Sequence, residues 1–75
     1  MTEREKAIEM YQQVVRQEMN IIKQYSACET GSERVRIAAK RHDVWLKIST
    51  FEKILENVFG MTADEITTIY VNTAE

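Results

Sequence analysis

The sequence predicts an all-α protein: a long antiparallel helical hairpin with a short C-terminal third helix, a shape that associates into a helical bundle. Three observations carry that expectation. The chain has 75 residues, no proline and two glycines, so helix is interrupted in two places at most. The pattern Thr-x-x-Glu recurs at Thr2/Glu5, Thr30/Glu33 and Thr62/Glu65, each time ahead of a stretch with helical periodicity. Apolar side chains then alternate at spacings of three and four, which is the period of a helix face and not of a strand.

Each Thr-x-x-Glu reads as a capping box. The threonine oxygen accepts from the amide three residues on, the glutamate reaches back to the cap amide, and its carboxylate lies at the positive end of the helix dipole. The first box opens a helix over 3–28. The second follows the polar string Cys28-Glu29-Thr30-Gly31-Ser32 and opens a helix over 32–59, which Gly60 ends as a glycine just past a helix does. The third opens a short helix over 63–71. The first two are each about 40 Å long at 1.5 Å per residue. Two equal rods joined by a short turn fold back on each other, within a single domain spanning 1–75.

The first rod carries Ile8, Tyr11, Val15, Glu18, Ile22 and Tyr25 along one seam, and the second carries Ile37, Arg41, Val44, Ile48, Phe51, Leu55 and Val58. Folding the chain near residue 30 pairs Ile22 with Ile37, Val15 with Val44, Tyr11 with Ile48 and Ile8 with Phe51. The one charged residue in each seam then falls opposite the other, Glu18 against Arg41. The pair would penalise shifted registers more than it adds net stability, and each side chain is also long enough to reach solvent from the seam's edge.

More apolar surface is present than a hairpin can bury. The second rod carries Val35, Ala39, His42 and Leu46 at heptad spacing on its back, with Trp45 and Ala38 on a flank. The third helix is too short to cover a 40 Å hairpin. Without a disulfide or metal, self-association is the expected remedy, a homodimer forming a four-helix bundle being the simplest; a monomer with an exposed aromatic patch is the alternative.

Composition narrows the chemistry. Net charge is −2, so no global positive field draws the chain to nucleic acid or lipid, and no apolar run reaches the ~18 residues of a membrane span. Cys28 is the single cysteine, which excludes an internal disulfide and fits a reducing, cytoplasmic compartment. His42 is the single histidine; Asp43 beside it points about 100° away on a helix and makes no dyad with it. No zinc set, phosphate loop, dinucleotide fingerprint or nucleophile elbow is present. The chain is therefore expected to be no enzyme, with no catalytic or metal-ligating residue and no cofactor.

Two surfaces remain as candidates. Val35, His42, Trp45 and Leu46 have the composition of a protein-interaction hot spot. Arg34, Arg36 and Lys40 lie at the start of the second helix, with Lys23 near the end of the first approaching the same end of the hairpin; the helix dipole adds positive potential there and a phosphate or carboxylate would dock, the plain alternative being a solvated basic face. The expected function is that of a small helical interaction protein that oligomerises and binds a protein partner, regulating or inhibiting it. The other reading is nucleic-acid or nucleotide binding through the basic end.

In size and simplicity the chain resembles small proteins of bacterial viruses and mobile elements that block host defence, anti-CRISPR proteins among them, a likeness of class that implies inhibition of a partner. In architecture it is similar to Rop, a dimeric RNA-binding hairpin, though no motif is shared. The segment Glu18-Met-Asn-Ile-Ile-Lys23 resembles part of a family of viral helical hairpins that sequester cyclic nucleotides, a likeness too short to assign any residue a role.

Overall fold

The computed structural model describes residues 1–75 and contains three helices, α1 (Glu3–Ala27), α2 (Gly31–Asn57) and α3 (Ala63–Ala74). Each begins where a threonine stands in extended backbone and its hydroxyl accepts from the amide three residues on. The caps at Thr2 and Thr62 are complete boxes, with Glu5 and Glu65 returning to the cap amide. At Thr30 only half of the box forms: the hydroxyl accepts from the Glu33 amide at 3.3 Å, and Glu33 makes no return bond to the cap amide.

The helix ends fall close to expectation, with local reasons for the differences. α1 stops at Ala27 because the Cys28 amide tightens onto the Tyr25 carbonyl at 3.2 Å, a one-turn closure that leaves Cys28 as the cap. α2 stops at Asn57 rather than Phe59. Gly60 then takes φ +64, and the Met61 amide returns to the Leu55 carbonyl at 3.0 Å, so a carbonyl left open by the helix end is satisfied. Met61 is buried, fixing the turn from both sides. α3 runs to Ala74 rather than 71 because Thr73 and Ala74 are half-buried, with Ala74 packed against the core.

α1 and α2 form the antiparallel hairpin. Tyr11, Val14, Val15, Val44, Ile48, Leu55, Met61 and Ile66 make the core. The Tyr11 hydroxyl donates to Glu52 at 3.0 Å. Side chains on a helix lean toward its N-terminus, so Tyr11 opposite Ile48 reaches the level of Glu52, as the expected pairing requires. α3 lies along α1, tied at its start by an Arg4–Glu65 ion pair of 3.4 Å and farther on by the Tyr70 hydroxyl donating to Glu18. The molecule measures 43 × 22 × 21 Å. At 1.5 Å per residue a 12-residue helix reaches about 18 Å, so α3 covers only part of the hairpin's length.

Candidate functional site

The hairpin groove continues beyond the end of α3, and there it is open. Its volume is about 340 Å³, walled by Glu18 and Tyr25 of α1 and by Ala38, Arg41, His42 and Trp45 of α2. That size suits a small ligand or the side chains of a docked helix. Tyr25 is 42% exposed and Trp45 53%, large apolar surfaces that the fold leaves in contact with water. The His42 and Trp45 rings stack, with centroids 6.0 Å apart and 21° between their planes. The stack comes from their i, i+3 spacing on α2, which puts them on adjoining turns of one face. Trp45 and Glu18 also border a second recess of about 260 Å³, closed on its other sides by Ile48, Glu52, Thr67 and Tyr70.

Glu18 and Arg41 line the same groove, as the register predicts, but they make no ion pair. The partner of Glu18 is Tyr70, whose hydroxyl donates to Glu18 Oε1. Glu18 is 7% exposed, so its carboxylate needs a donor at close range, and the tyrosine delivered by α3 supplies one without burying a second charge. Arg41 stays exposed at the groove wall. Donating to Glu18, together with partial burial and the nearby negative charge, pushes the Tyr70 hydroxyl pKa up to about 12. Burial first, and then its bond to Glu52, raises the Tyr11 hydroxyl still further above the usual tyrosine range. No buried side-chain nitrogen or oxygen lacks a hydrogen-bond partner.

The structure divides the expected partner patch. His42 and Trp45 border the groove, whereas Val35, 72% exposed, and Leu46, 47% exposed, stand outside it. At about 100° per residue Leu46 is a quarter turn beyond Trp45, and Val35 falls close to Leu46, on the side of α2 away from the core. The basic residues are divided too. Arg36 and Lys40 line a cleft of about 250 Å³ with Gln24, Glu33 and Ile37, while Lys23 and Arg34 are exposed and lie outside it. Cys28 is a half-buried free thiol at the α1–α2 turn.

Sequence reasoning passes over Tyr25, Ala38 and Arg41 as groove walls, because it assigns two of them to a closed seam. It also passes over Tyr70 as the partner of Glu18. The available signal was a carboxylate in an apolar seam and a tyrosine, apolar in body and polar at its tip, on the remaining helix. No helix is long and apolar enough to cross a membrane, and no group of three or more His, Cys, Asp or Glu side chains is placed to hold a metal ion. No protein-family model, curated protein or solved structure matches the chain.

Proposed function

We propose that the protein is a non-enzymatic helical interaction module that docks a protein partner on the outer surface of α2 and regulates or inhibits it. The observation that carries this reading is the exposure of Val35, Trp45 and Leu46 on one helix, with His42 stacked on Trp45. Aliphatic and aromatic side chains around a rigid stacked pair offer contact area at small entropic cost, and such anchors dominate binding energy at interfaces. Blocking another protein's surface in this way is how a small chain without catalytic groups inhibits.

The test is capture of a partner from the native host, followed by reconstitution with the purified partner. Val35→Asp and Leu46→Asp should each keep full helicity by circular dichroism and weaken binding by about 2 kcal/mol or more, the level of a hot spot. Binding unchanged in both variants refutes this assignment of the surface.

A second reading rests on the cleft that brings Arg36 and Lys40 together beside Ile37 near the start of α2. Two cations at i, i+4 close to a helix N-terminus suit a phosphate group, with Glu33 opposing it from the same cleft. A rise in melting temperature with inorganic phosphate or a nucleotide, abolished by Arg36→Glu with Lys40→Glu, supports it. For a nucleic-acid ligand the affinity must fall steeply with salt.

A further inference from the structure

We infer that the open half-groove is covered by a second copy of this chain, in a two-fold dimer that lays the α3 half of each copy on the open half of the other. This deepens the reading above by giving the Trp45 groove an occupant, and it rests on the premise that the α2 surface serves protein contact. His42 and Trp45 then meet the second copy, and the regulated partner docks on Val35 and Leu46, which remain outward.

The chain exposes 5409 Å², whereas a compact monomer of 8.8 kDa exposes about 4,800 Å² by the usual scaling with mass. The excess is of the same order as the ~800 Å² that each partner buries in a standard interface. The radius of gyration, 13.9 Å, likewise exceeds the ~11 Å of a compact chain of this length. Three of the nine large apolar side chains left exposed belong to this groove and ridge: Tyr25 and Trp45 in the groove, and Val71 on α3.

α3 stands as a ridge over one half of the hairpin face and leaves a notch over the other. A two-fold axis lying across the hairpin near its middle turns the face over and exchanges the two halves, so ridge meets notch twice, as an isologous contact requires. Arg41 lines the notch, and Arg34, about 20° from Trp45 around α2 by its 11-residue spacing, is exposed farther along the same side. The ridge half presents Glu56 of α2 and Asp64 of α3, also exposed. A two-fold through the middle of α2 (Gly31–Asn57) sets Arg34 at the level of Glu56 and the start of α3 in the other copy, so opposite charges meet in both symmetric copies of the contact. A parallel arrangement would set like against like.

Sedimentation equilibrium of the whole chain at micromolar concentration should give a dimer. Arg34→Glu with Arg41→Glu should weaken self-association at least about tenfold, and so should Glu56→Lys with Asp64→Lys, with circular dichroism showing helicity kept. An equimolar mixture of the two double variants should recover a mixed dimer, because one charge contact is then restored in reversed form and the other is the native pair. A monomeric wild-type chain overturns the inference, as does a mixture that fails to associate when each variant is folded. Either failure leaves the Val35 and Leu46 test standing, since those substitutions lie outside the dimer face.

Discussion

The Tyr70–Glu18 hydrogen bond is the contact on which most turns at the level of single residues. Tyr70→Phe leaves Glu18, 7% exposed, without its hydroxyl donor and should cost about 1–3 kcal/mol in urea denaturation. Adding Glu18→Leu should return part of that loss, because the group left unsatisfied is then gone. A Tyr70→Phe variant as stable as wild type would show that Glu18 finds another partner. The same contact sets an alkaline limit. The Tyr70 pKa is raised in the folded chain to about 12 from an unfolded value near 10. Its stabilisation is therefore fully present below about pH 10 and is lost as pH rises toward 12. An ultraviolet titration should show a tyrosine component with a midpoint near pH 12 that disappears in Tyr70→Phe. A titration unchanged by the substitution contradicts the assignment.

At the scale of elements, the caps and glycines make separable contributions. Thr2→Ala and Thr62→Ala each dismantle a reciprocal box and should cost about 1 kcal/mol of stability. Thr30→Ala should cost less, since Glu33 makes no return bond. The two glycines should respond in opposite directions although neither has an atom within 4 Å of an added Cβ. Gly31 opens α2 with ordinary helical backbone, so Gly31→Ala should stabilise by about 0.4–1 kcal/mol by restricting the unfolded chain. Gly60 has φ +64, and Gly60→Ala should destabilise by about 1–2 kcal/mol through the clash of Cβ with backbone in the left-handed region. Thermal melts of these variants measure all of this. Equal effects at the two glycines would mean that backbone conformation does not govern them.

For the whole molecule, the third helix decides whether the hairpin holds together. Ile66 and Met61 belong to the same core as Tyr11, Val15 and Leu55, so removing residues 61–75 uncovers the centre of the hairpin and takes away the donor to Glu18. A chain ending at Gly60 should keep much of its helix by far-ultraviolet circular dichroism but lose cooperative unfolding and bind a hydrophobic dye. A sharp, wild-type-like transition in that fragment would make α3 an accessory.

Helix positions were legible in the residues because caps, glycines and heptad spacing act locally; Thr2, Thr30, Thr62 and Gly60 mark the ends to within a few residues. The register was legible too, since Tyr11, Val15, Val44 and Ile48 are buried in one core and the Tyr11–Glu52 hydrogen bond fits the pairing of Tyr11 with Ile48. Local pattern does not say where a short amphipathic helix docks on a longer pair. That depends on contacts distant in sequence, Arg4 with Glu65 and Glu18 with Tyr70. The sequence by itself therefore determined three helices and their pairing. Only the tertiary structure decided that Tyr70, and not Arg41, satisfies Glu18, and that part of the groove stays open beside Trp45. A buried carboxylate takes the nearest neutral donor that folding brings to it, and α3 is too short to reach both the donor's place and the far end of the groove.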